Sequence, residues 1–273
     1  MSLIEFQKSL KNMSLEQFRR KWRREFEQFL PQYFSQITKF FSDEEFGLRH
    51  SYDVFSRAFQ LADKVEEYEK KPVNREVIEY IAVFHDIGKF FQEIHSLENI
   101  QIAKEVFVVY ATNKSVPPEI ADVVIDGIRN SDFYNRRLDP SSDSPKTIEG
   151  EIVRAADKML DNLVKKVDRY WYDYGVPRNL KFFDPNITFE ERAKFSFDNF
   201  SGDQLNVILS IIGLRPEDFS HPVIQEEYRR WSKKAKKKVV TRIISLAREI
   251  GEPEENIKKI QEIIKWYRKT FNC

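Results

Sequence analysis

The stretch Ile81-Ala82-Val83-Phe84-His85-Asp86-Ile87-Gly88-Lys89 decides how this chain is read. An apolar run delivers an imidazole and a carboxylate side by side, and a glycine and a lysine follow at once. Ile78 and Ile81 precede His85 at helical spacing, so on a helix His85 continues a buried stripe, and Asp86 repeats the relation to Ala82. Two such polar groups aimed into an interior are costly unless something pairs with them. A divalent metal is a shared partner that accepts both ligand types. Gly88 ends or bends the helix and brings Lys89 to where a cation can meet a metal-bound anion.

Working outward, two more helices present polar residues on apolar faces. Upstream, His50, Val54, Ala58, Leu61 and Val65 keep helical intervals, so His50 opens a buried stripe. Downstream, the spacing predicts helices over 98–110, from Pro118 onward, and over 148–170. On the last of these Val153, Asp157, Leu160 and Val164 share a face, which gives Asp157 apolar neighbours above and below. Asp157 has an alternative role as an internal ion pair with Arg154 or Lys158. Residues 5–41 read as two aromatic-faced helices broken at Pro31, and helices are predicted over 203–213, 222–250 and 254–270. Residues 131–147 and 173–203 lack periodicity, and 131–147 is long enough to form a lid or substrate rim. No strand alternation or repeat is present. The fold class is all-α: residues 46–172 form the core domain, 1–45 an N-terminal helical extension packed on it, and 173–273 a C-terminal helical region.

Composition bounds the function. The 273 residues include 45 Lys or Arg against 44 Asp or Glu, a net charge of +1, so no global field draws the chain to nucleic acid or membrane. The single cysteine, Cys273, permits no internal disulfide, and no apolar run approaches a membrane span. A cytoplasmic protein is expected. The strongest local charge lies at 229–238, where Arg229, Arg230, Lys233, Lys234, Lys236, Lys237 and Lys238 read as a solvated helix face.

His50, His85, Asp86 and Asp157 form a mixed nitrogen and oxygen set that suits Mn, Fe, Ni, Co or Zn, and Mg less well. Their order resembles that of the HD superfamily of metal-dependent phosphohydrolases: a histidine, an adjacent His-Asp and a distant Asp, all on helices. His85-Asp86-Ile87-Gly88-Lys89 is similar to the second motif of its phosphatase and phosphodiesterase branches, and Arg154-Ala155-Ala156-Asp157-Lys158 to its last. The resemblance covers residues 46–170. It implies an all-helical fold around a metal and hydrolysis of a phosphoester or phosphoanhydride bond by a metal-activated water, in a nucleotide or small phosphorylated metabolite. His50, His85, Asp86 and Asp157 would bind the ion. Asp86 would also bridge to a second ion or act as a base, and Lys89 would offset charge on the substrate phosphate.

The two-metal branches carry further histidines. His95 matches the first of these. The next falls near Arg129-Asn130-Ser131-Asp132, where there is none, and Asn130 or Asp132 would substitute weakly. One tightly held ion is therefore expected. Arg136, Arg137 and Arg154 are further candidates for substrate contact. Two alternatives remain: a nuclease acting on single-stranded DNA, since the central motif also resembles the HD nuclease modules of CRISPR effectors, and a catalytically silent nucleotide-binding regulatory module.

Overall fold

The computed structural model describes residues 13–43, 47–91, 97–131, 145–160, 163–193, 203–210 and 214–270. His95, Asp132, Arg136 and Arg137 lie outside the described residues. Among the described residues every regular element is helical, apart from an isolated bridge between Lys181 and Asp203. No helix among them is long and apolar enough to cross a membrane. The chain divides into two compact units, Met1–Leu160 and Asp161–Cys273. The division lies upstream of residue 172, where the sequence reading draws the end of the core domain.

In the first unit, helix α1 (Leu15–Phe29) opens with a capping box between Ser14 and Gln17 and buries Phe18, Trp22 and Phe26 at intervals of four. Pro31 ends the run, and α2 (Phe34–Ser42) follows a single tight turn. Next come α3 (Leu48–Glu69) and α4 (Arg75–Phe84), then α5 (Leu97–Lys114), α6 (Pro118–Arg129) and α7 (Ile148–Lys158).

Helix α4 is the hub. Of its ten residues only Glu76 escapes burial, because α3, α5, α6 and α7 all pack on it. A helix apolar on every side is stable only when enclosed in this way. Asn74 caps its start by accepting from the Glu76 and Val77 amides. Arg75 fixes its approach to α3 through Asp63 at 2.8 Å, Glu66 at 2.6 Å and the Phe59 carbonyl at 3.0 Å. On the α1 and α5 side, Tyr80 and Phe84 meet Trp22, Phe107 and Tyr110 in a cluster of tilted and edge-to-face rings. Truncating a fully buried ring such as Trp22 to alanine would cost about 3–5 kcal/mol. On the α6 side, Gly127 has no room for a Cβ against the Ile81 side chain, and a Cβ on Gly150 of α7 would lie 3.4 Å from the Gly127 Cα. The missing side chains let α4, α6 and α7 close together.

The second unit holds α8 (Leu163–Arg169), α9 (Phe189–Ala193), α10 (Gln204–Ser210), α11 (Pro222–Glu249) and α12 (Glu254–Thr270). A wide-pitch turn over Tyr170–Gly175 extends α8. The long helix expected over 148–170 is therefore two: α7 ends at Lys158, and Met159 leaves helical geometry. The apolar period running on through Leu160 and Val164 conceals this break. Val239, Ile243, Leu246, Ile257 and Ile260 form the heart of the unit, where α11 packs on α12. Gly251, at φ +82°, ends α11, and Pro253 precedes α12.

Candidate metal centre

Three helix ends supply the centre. His50 is the third residue of α3 and is buried against solvent. Asp157 lies in the last turn of α7, also buried. His85 caps the C-terminus of α4, and Asp86 stands just beyond it at φ −111° and ψ 0°.

The sequence reading bounds the helix at Arg75–Phe84, as observed, but counts His85 and Asp86 on its inner face, and here the structure corrects it. Neighbours on a continuous helix point about 100° apart. The turn after Phe84 instead lets His85 and Asp86 face the same place. Gly88 makes the turn feasible, because a Cβ there would collide with the Asn99 backbone of α5.

The donor atoms converge. His50 Nε2 lies 3.3 Å from Asp157 Oδ1 and 3.4 Å from Asp86 Oδ2. His85 Nε2 lies 3.7 Å from the same Asp86 Oδ2. One ligand atom each from His50, His85 and Asp157 falls within 4.8 Å of the other two. Donors bonded at about 2.1 Å to one ion stand roughly 3.0–3.4 Å apart at right or tetrahedral angles. The observed separations therefore suit a common ion with little rearrangement. His85 Nδ1 lies 3.0 Å from the Ala82 carbonyl, which can only accept, so Nδ1 carries the proton and Nε2 presents its lone pair. That buried Nε2 has no hydrogen-bond partner among the described residues. An imidazole oriented in this way by a backbone carbonyl is poised as a metal ligand.

Electrostatics agree with the geometry. Burial holds the His85 imidazole below its ordinary pKa and so in the neutral, ligating form. Burial also pulls His50 down, but the Asp157 and Asp86 carboxylates outweigh it and raise the group. An ion taken up here would replace that proton. Burial pushes the Asp86 carboxyl up, yet Lys89, His85 and His50 hold it well below the usual carboxylate range.

Each carboxylate also meets a lysine. Lys89 Nζ is 2.5 Å from Asp86 Oδ2, and Lys158 Nζ is 2.5 Å from Asp157 Oδ2. The two sequence readings of Asp157, ligand and ion-pair partner, thus coexist: Oδ1 faces His50 while Oδ2 faces Lys158. The sequence singles out Lys89 but treats Lys158 only as an ion-pair partner. Its position directly after Asp157 at a helix end was the available signal. Arg154 is buried one turn before Asp157. Asn130 is occupied locally, its amide donating to the Asp126 carbonyl at 3.0 Å and carboxylate at 3.1 Å. His221 accepts from the Val223 amide at the start of α11.

Residues 47–161 match the family model described as HD domain. No curated protein and no solved structure matches the chain. The matched segment runs from the glycine that opens α3 to just past the end of α7, and so takes in both histidines and both aspartates. The chain carries an HD domain over these residues.

Proposed function

We propose that the chain is a metal-dependent phosphohydrolase that cleaves a phosphoester or phosphoanhydride bond of a nucleotide or other small phosphorylated metabolite. The observation that carries this reading is the buried His85 Nε2, its tautomer set by Ala82, facing His50 and Asp157 at ligand spacing. The HD domain supplies the reaction class, metal-dependent hydrolysis.

His50, His85, Asp86 and Asp157 would hold one divalent ion, drawn from Mn, Fe, Ni, Co or Zn, with Mg the poorer fit. When bound, such an ion supplies Lewis acidity and a water of lowered pKa. The remaining roles belong to the protein. Asp86, at the edge of the cluster and less buried than the others, accepts a proton from the attacking water. Lys89, with its side chain 21% exposed, reaches the side from which a substrate enters and offsets charge on the phosphate.

The test is elemental analysis of protein loaded in turn with Mn, Ni, Co and Mg, followed by turnover assays on a panel of nucleotides and small phosphate esters. About one ion per chain together with phosphate release supports the reading. Cleavage of single-stranded DNA without turnover of any small substrate would replace it with the nuclease reading. Tight nucleotide binding without product in every metal would replace it with a silent regulatory module.

A further inference from the structure

The two lysines of the centre hold their carboxylates differently. Lys158 contacts Asp157 through Oδ2, while the other oxygen, Oδ1, lies 3.3 Å from His50 Nε2. The oxygen turned toward the histidines is thus not the one that Lys158 holds. Lys89 instead contacts Asp86 through Oδ2, and this same oxygen lies 3.4 Å from His50 Nε2 and 3.7 Å from His85 Nε2. An ion held by the two imidazoles would take the oxygen on which the Lys89 ammonium lies. With a metal–oxygen bond of about 2.1 Å, cation and ammonium would then stand within about 5 Å across a single atom in a buried site. Repulsion there is strong, because little water screens it. Lys89 is only three residues past Asp86, on a short turn, and its side chain is partly exposed.

We propose that the ion and the Lys89 ammonium compete for Asp86 Oδ2, so that ion binding releases Lys89 to hold the substrate phosphate. The proposal rests on the metal-centre reading above and adds an order of events. Before the ion arrives, Lys89 stands in for it and neutralises Asp86. After the ion arrives, the lysine is turned out toward the phosphate. Phosphate capture by Lys89 is thereby conditional on a loaded centre, and Lys158 stays on Asp157 throughout.

The experiment measures ion affinity and inorganic phosphate affinity separately, using the full chain and Mn. Lys89→Met removes the competitor but keeps the aliphatic stem. It should bind Mn about tenfold more tightly than wild type, the scale of one charge-assisted hydrogen bond lost by the rival state. The same variant should bind inorganic phosphate about tenfold more weakly once Mn is saturating. Opposite shifts in the two affinities are the signature, since a merely structural lysine would weaken both or neither. A second measurement needs no variant. In wild-type protein treated with an acetylating reagent, Mn should speed modification of Lys89 and leave Lys158 unchanged, as read by peptide mass spectrometry. Unchanged or weaker Mn binding in Lys89→Met, or equal reactivity of Lys89 with and without Mn, overturns the exchange while leaving the metal centre standing. A wild-type chain that binds no Mn, Ni, Co or Mg overturns both.

Discussion

The metal centre and the Arg192–Asp203 cluster of the second unit both bury charge, but they complete it differently. Arg192 grips Asp203 with two parallel bonds of 2.9 and 2.7 Å, and donates further to Asn206 Oδ1 at 3.0 Å and the Asp184 carbonyl at 2.8 Å. Asp203 in turn accepts from the backbone amides of Asp184 and Asn206. Both charged side chains are sealed from solvent, at 1% and 0% exposure. Cation and anion are matched one to one, with only Arg192 Nε left without a hydrogen-bond partner among the described residues. In the HD domain, by contrast, His85 Nε2 has no hydrogen-bond partner among the described residues, and the atoms that meet there are potential ligand atoms within 4.8 Å of one another. Burial of charge does not distinguish a site from a strut. The distinction lies in whether opposite charges are matched one to one, as at Arg192 and Asp203, or ligand atoms converge on one point, as at His50, His85 and Asp157.

The largest test of this contrast is His85→Ala. Losing the ligand itself should cost more than the roughly 10–100-fold in ion affinity typical of removing an outer-shell partner. Turnover should fall in parallel, with the fold retained by circular dichroism. A variant that keeps its metal and its activity would place the site elsewhere.

Arg192→Met should act in the opposite way. It leaves the Asp203 charge buried and unpaired, at a cost of about 3–5 kcal/mol. Denaturant unfolding followed by tryptophan fluorescence reads the loss well, because Trp171, Trp231 and Trp266 all lie in that unit. Metal content should not change. Replacing both partners, Arg192→Met with Asp203→Leu, should recover much of the stability, as expected for a strut. Loss of metal in either variant would break the comparison.

Glu79 is an intermediate case with the smallest expected effect. It is buried on α4 and accepts from Lys21 at 2.6 Å and from Trp22 Nε1 at 3.0 Å. Burial nevertheless raises its pKa, outweighing Lys21 and Trp22. A carboxyl whose folded pKa lies above the unfolded one contributes stability that is fully present below about pH 4.5 and is lost as pH rises through the folded value. Glu79→Gln should flatten that decline and change stability at neutral pH by less than about 1 kcal/mol. Unfolding midpoints across pH 4–8 check this, and a variant whose profile steepens would refute the sign.

The four candidate ligand residues were legible in the sequence because His50, His85 and Asp157 continue apolar helical stripes and Asp86 adjoins His85, in a chain with four histidines. Helix content and most boundaries followed from the same periodicity and from Pro31, Pro118 and Gly251. Three features were not legible. The helix over Arg75–Phe84 was read with its observed bounds, but the turn beyond it that brings Asp86 toward His85 depends on the fit of Gly88 against Asn99, a contact between separate elements. The Arg192–Asp203 pair joins residues from a stretch without periodicity, where nothing local foretells which charges will meet. The break after Lys158 was hidden because the apolar pattern continues across it.

The junction of Gly127 with Ile81 and Gly150 has a consequence for the ligands. Two of the ligand-bearing helices, α4 and α7, pack against α6 at a point where the determining group is a hydrogen atom. A single methyl group at residue 127 would lie 2.3 Å from Ile81 Cδ1, so that the Ile81 side chain on α4 would have to shift without any donor atom being touched. The seating of the helix that ends at His85 thus depends partly on the smallest residue of a helix that contributes no candidate ligand.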